Sequence, residues 1–292
     1  RDQSWVSVVM NGVKHVPFSR VKTSFADITA DDARAKGYTK GKKKIEEVFT
    51  LLKRTTDPQT VYKKQKFDRD DIIDITDFDV VAWVKGEMRG KLNEELARAF
   101  LIGDGRSSAA DDKIQETHIR PIWTDDDLFT VKREITVGAT EGETASNLID
   151  DTIRARKEYK GSGNPTLFTS EDVLAEMLLL KDKNGVRLYK SVDELATAMR
   201  VAKIVTIPQF ENLTREVSAG GKKDTFTLKA IMVNLADYTV GADKGGAVSM
   251  FEDFDIDYNQ EKYLIETRCS AALTVPKSAI VFETKATSGI GG

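Results

Sequence analysis

Apolar residues recur every three or four positions from Val81 through Val84, Met88, Leu92 and Leu96 to Phe100, a spacing that predicts the longest helix of the chain over about 78–102. Thr76 or Asp77 is placed to cap its start, Glu87 and Lys91 stand four apart as an ion pair would, and Gly103 is suited to the left-handed conformation that ends a helix. Gly86 and Gly90 lie inside the stripe. Each costs about 1 kcal/mol relative to alanine, which predicts a close approach or a bend there.

Before this helix the pattern is different. Residues 1–29 alternate in part, with Asn11-Gly12 as a turn signal and Pro17 as a strand interrupter, and read as an extended arm. Residues 30–66 mix short polar pieces, a Gly-Lys run and β-rich stretches, with few apolar residues to hold them on a core of their own. They read as an excursion that needs something else to lie on, with Lys40, Lys42, Lys43 and Lys44 at its tip.

From residue 128 strands and helices alternate. A strand over "LFTVKREITV" precedes a helix over 144–159, "PTLFTS" precedes a helix over 170–181, and Ser191 with Glu194 forms a capping box that opens another. "KIVTIPQF", "TFTLKAIMVNL", "AVSMFEDFDIDYN" and "EKYLIETRCSAALTVPKSAIVFET" read as extended structure, and the glycine-rich tail 287–292 as flexible. No repeat of fixed period is present.

The stretch "LARAFLIGDGRSS" raises the possibility of a phosphate loop. Its glycines follow a helix, and a helix C-terminus presents carbonyl oxygens and partial negative charge, the wrong end for an anion. The Gly-Lys-Ser/Thr of a P-loop and the spacing of a dinucleotide fingerprint are also missing.

Composition narrows the chemistry further. At 292 residues and 40% hydrophobic content the chain can bury a substantial core, and no apolar run approaches the roughly 20 residues of a membrane span, so no membrane partner is expected. Cys269 has no partner for an internal disulfide and reads as a buried small apolar residue. His15 and His118 lie in no catalytic motif, and with a single cysteine they do not make a zinc set, so no cofactor, metal or enzymatic activity is expected. Asp125, Asp126 and Asp127 read as a solvated loop, because the alternating oxygens and central glycine of a calcium loop are absent.

Charge is unevenly spread. The net value is −3, yet residues 1–66 hold 15 Lys or Arg against 7 Asp or Glu, leaving a net −11 on the rest. A solvated face, a basic arm lying across an acidic neighbouring subunit, and nucleic-acid binding are all compatible with this, the last weakened by the lack of a recognition helix or aromatic stacking motif.

Several stretches, taken in order, resemble the major capsid protein of tailed double-stranded DNA bacteriophages, the Hong Kong 97-type fold family. They are the basic arm and loop, the long helix ending in "LARAFLIGDGRSS", "TLFTSEDVLAEMLLLKDKNGVRLYKS", "AKIVTIPQF", and "FDIDYNQEKYLIETRCSAALTVPKSAIVFE". The resemblance implies an α+β capsid fold with an N-terminal arm at 1–29, an extended loop at 30–66, a peripheral domain from 67–126 and 241–286 bearing the long spine helix, and an axial domain at 127–240. It implies a structural protein of the virion, assembled in the host bacterial cytoplasm into hexamers and pentamers around double-stranded DNA contacted without sequence preference.

A portal protein and a maturation protease are implied as partners, and a cement protein is a further possibility. A chain beginning at Arg1 fits removal of a scaffolding segment in that family. Lys40, Lys42, Lys43, Lys44, Lys63 and Lys64 are the inter-subunit interface candidates. Some relatives join a loop lysine to a neighbour's asparagine, for which Asn259 is the candidate here, although non-covalent locking or a cement protein is the expected state. An encapsulin-like shell around an enzyme cargo is the alternative reading.

Overall fold

The computed structural model describes residues 3–26, 40–41, 51–70, 80–140, 142–219, 222–243 and 248–286. The chain opens with helix α1 (Ser4–Gly12), whose Trp5, Val6 and Val9 are buried. The partial alternation of the sequence points to a strand here, and the structure corrects that expectation. Trp5, Val6, Val9 and Val13 also fall on one helical face, and the body of the molecule offers that face a core, so burial outweighs the modest β preference of the valines.

Short strands β1 (Lys14–Val16) and β2 (Lys22–Ala26) follow, then β3 (Leu51–Thr55) and β4 (Gln59–Asp68). Pro17 lies immediately after β1, as a strand interrupter should. β2 and β3 pair antiparallel, Lys22–Ala26 against Leu51–Thr55.

Helix α2 (Val80–Leu101) is the long helix expected from the periodicity. Val84, Met88, Leu92, Leu96 and Phe100 are all buried along one face. Each such side chain removed from water contributes about 1.5–3 kcal/mol. Thr76 and Asp77 lie outside the described residues. Two details differ from expectation. A side chain at Gly86 would meet open space and one at Gly90 only ordinary contact with Gln3, so close packing does not explain these glycines. Lys91 pairs with Glu94 at 2.8 Å rather than with Glu87. Gly103 ends the helix region at φ +87°, the left-handed conformation expected of it.

The chain continues through β5 (Thr130–Ile135), α3 (Glu143–Ala155), β6 (Thr166–Thr169), α4 (Glu171–Leu179), α5 (Val192–Ala198), β7 (Ile204–Thr206), β8 (Thr214–Ala219), β9 (Lys222–Val233), β10 (Tyr238–Ala242), β11 (Ser249–Asp255), β12 (Gln260–Leu273) and β13 (Ala279–Lys285). The capping box forms: Ser191 Oγ accepts from Glu194 N–H at the start of α5, and the Glu194 carboxylate accepts from Lys190 N–H at 2.8 Å.

Two sheets organise the molecule. In the first, β12 is central, with β4 along one edge and β10 and β11 in succession along the other, while β1 adds in parallel to β10. Gly241 in β10 is required by packing, because a Cβ there would lie 2.4 Å from the Phe18 carbonyl oxygen. In the second, β5, β13, β9, β6 and β7 lie side by side and β8 pairs with β9.

β13 therefore sits between β5 and β9. A division that groups 241–286 with 67–126 does not follow the sheet pairing at this strand. Its "AIVF" is apolar without interruption because both faces are covered: Ala279 and Val281 enter the core shared with α1, α2 and the first sheet, while Ile280 and Phe282 enter a second core under α3, α4 and α5.

Candidate assembly surface

The expected interface residues are distributed rather than gathered. Lys40 is exposed in a turn, while Lys42, Lys43 and Lys44 lie outside the described residues. Lys63 and Lys64 are on β4, in register with Ile265 and Leu264 of β12. Asn259 occupies the turn between β11 and β12 with φ +49°. Its side-chain amide donates to Asp70 at 3.4 Å and its carbonyl accepts from Arg69 N–H, so it is engaged within its own chain. The tail 287–292 also lies outside the described residues.

No motif in the sequence pointed to the charged pair that anchors β3 of the β2–β3 ribbon. Arg54 of β3 reaches Asp125 at 2.6 Å, with the arginine side chain 6% exposed and the aspartate fully buried. Arg54 also donates to the Leu273 carbonyl and lies over the Phe129 ring at 3.9 Å. The expected solvated acidic loop is thus corrected at one residue. Asp125 turns inward because a buried guanidinium needs a counter-charge, while Asp126 and Asp127 remain exposed and pair with Arg120 and Lys132.

Two hydrogen bonds extend this clamp. Thr56 Oγ1 donates to Ser270 Oγ, which donates to the Ser19 carbonyl, so the chain before β2 and the chain after β3 are both tied to β12. His118 Nδ1 lies 2.7 Å from the Asp57 carbonyl and exposed His15 lies near the Met10 carbonyl, so each imidazole faces backbone oxygen rather than a nucleophile.

The Gly-Asp-Gly that follows α2 is a loop organiser. Buried Asp104 accepts from the N–H groups of Ile114 and Arg106 at 2.8 and 3.1 Å and from Lys113 Nζ at 3.2 Å. Burial pushes its carboxyl up, but those backbone hydrogen bonds and Lys113 hold it below the usual carboxylate range. The same loop, α2 and β4 line a cleft of about 660 Å³ whose walls mix both signs, including Lys63, Lys91, Arg98, Glu95 and Asp112.

Elsewhere the buried polar groups tie strands together. Glu283 of β13 is gripped by Arg215 through two hydrogen bonds of 2.6 and 2.7 Å and accepts from Trp123 Nε1. Cys269 is buried, and burial pushes its thiol up to about 12. Among the described residues no group of three or more His, Cys, Asp or Glu is arranged to hold a metal, and no helix is long and apolar enough to cross a membrane.

A model described as the phage capsid family matches residues 6–284. None of the curated proteins matches the chain. Among solved structures the chain is similar to the capsid of a native GTA particle, at 13% identity and a TM-score of 0.68, covering 98% of this chain and 92% of that one. It is also similar to a structure of Gordonia phage Cozz, at 13% identity and a TM-score of 0.61 over 96% of this chain and 87% of that one. A third, the bacteriophage PhiM1 mature capsid, has 15% identity and a TM-score of 0.57 over 97% and 87%. At such identities these likenesses speak to the fold.

Proposed function

This chain belongs to the phage capsid family, as a structural major capsid protein of the tailed-phage type, and on that premise we propose that its copies form hexamers and pentamers of an icosahedral head around double-stranded DNA. The observation that carries the proposal is the extent of the family match, residues 6–284, which takes in both sheets, the long helix and the β2–β3 pair. Function then resides in interfaces, and the charge distribution supports that reading. A +8 segment at 1–66 and a −11 remainder are complementary between copies. An overall acidic chain also suits a wall that holds DNA loosely and without sequence preference.

In this reading assembly takes place in the host cytoplasm. A portal protein and a maturation protease act on the shell, with removal of an N-terminal scaffolding segment, and non-covalent contacts or a cement protein lock it. Asn259, hydrogen-bonded in its own chain, fits non-covalent locking better than a cross-link. The test is electron microscopy of particles formed by the chain, with the mass of the protein released from them. Icosahedral shells containing DNA and chains of single-copy mass are the expected result. A small uniform oligomer under every assembly condition would overturn the proposal, and a ladder of covalent multimers would overturn its non-covalent part.

A further inference from the structure

The part of the first sheet made by β4, β12 and β11 is a three-stranded antiparallel ribbon. β4 pairs with β12 over 59–68 against 260–269, and β11 pairs with the opposite edge over 249–255 against 260–266. Among the described residues no strand pairs with the outer edge of either β4 or β11. Such edges carry unpaired backbone groups and are templates for further pairing.

The two edges carry opposite charge. β4 presents Lys63, Lys64 and Lys66 along its middle with a single acid, Asp68, at its end, whereas β11 presents Glu252, Asp253 and Asp255, the last already paired with Lys262, and no base. Register places Lys66, Lys262 and Asp253 in one row across the ribbon, and Lys64, Leu264 and Phe251 in the next. Tyr62 and Phe251 share the face that carries Lys64, Lys66 and Asp253, and are 61% and 52% exposed, so each edge adds an uncovered aromatic ring to its charge. Glu252 is paired with Lys85 and Asp255 with Lys262, while the Asp253 carboxylate makes no side-chain hydrogen bond or close ion pair with a described residue and acts on its ladder partner Lys262 only through space.

Charge on an edge strand ordinarily discourages pairing, and a single sign on both edges would do so here. Opposite signs discriminate between symmetries instead. Copies related by a two-fold axis through this ribbon would join like edges, lysine to lysine or acid to acid. Copies related head to tail join β11 to β4, opposite charges to each other. Both strands run antiparallel to β12, so they point the same way and would meet as a parallel pair.

We propose that the acidic β11 edge of one copy docks on the basic β4 edge of the next, with Asp253 opposite Lys66, so that the ribbon continues across the subunit boundary. The inference rests on the capsid reading above and names a surface through which neighbours in a ring meet.

A Lys66→Cys/Asp253→Cys double variant tests it in assembled particles under oxidising conditions. Within one chain β12 separates the two positions by two strand spacings, about 9–10 Å. That exceeds the Cα separation of about 7 Å that a disulfide can span, and Cys269 is buried, so a cross-link must join copies. A ladder of covalent multimers on a non-reducing gel is expected, with each single variant remaining monomeric. Shells without the ladder would overturn the edge contact and leave the capsid reading standing, whereas failure of the unmodified chain to form shells would overturn both.

Charge reversal gives a second readout if the cysteine variant does not assemble. Lys66→Glu and Asp253→Lys should each lower shell yield by about tenfold, and the two together should restore it. No loss in the single variants, or no rescue in the pair, counts against the contact. Normal shells that lose packaged DNA in a Lys64→Glu/Lys66→Glu variant would place DNA, not a neighbour, on β4 and also overturn it.

Discussion

At the scale of single residues the most consequential placement is Asp125. The two residues that follow it are aspartates that stay in water, and the sequence does not single out one of the three. Arg54, more than 70 positions earlier, reaches it through a side chain that is itself buried, and the pair is further confined by the Phe129 ring. Removing one member of such a pair leaves an uncompensated charge, which typically costs about 3–5 kcal/mol, whereas replacing both by apolar groups is often neutral. Asp125→Ala should therefore lower the urea midpoint strongly, and Arg54→Met/Asp125→Leu much less. Equal losses in the two variants would argue that packing, not the charge, makes this site sensitive.

At the scale of elements, the loop that follows α2 shows how a sequence that resembles a phosphate loop serves a different end. Asp104 takes the backbone donors of Ile114 and Arg106 into its carboxylate, closing the loop on itself beneath Lys113. Because its folded-state pKa lies below the ordinary value of 3.8, the stability it contributes is fully present above that value and is lost as pH falls through the folded one. Asp104→Asn should accordingly destabilise the protein at pH 7, and the gap from the unmodified chain should narrow below about pH 3.8 in denaturant titrations at several pH values. A gap independent of pH would assign the residue a purely steric role. Helix α1 carries the companion lesson: alternation and helical spacing coexist in its short sequence, and the presence of a core on one side selects between them.

At the scale of the whole molecule, the basic first 66 residues and the acidic remainder make association sensitive to salt. The distance over which charges act falls from about 10 Å at 0.1 M salt to about 3 Å at 1 M. Assembly followed by light scattering should slow over that range; acceleration by salt would mean that apolar burial, not charge, drives the contacts. The sequence by itself determined the long helix and its buried face, the alternation of strands and helices after residue 128 apart from β8, β10 and the break between β12 and β13, the capping box at Ser191, the buried Cys269 and the family resemblance. These are carried by local periodicity, local capping chemistry and the order of motifs along the chain. Only the tertiary structure decided that residues 4–12 form a helix, that Arg54 and Asp125 meet, that β13 enters between β5 and β9, and that β4 and β11 become opposite edges of one ribbon. Each of those depends on groups far apart in sequence, brought together by burial and backbone pairing that local pattern does not encode.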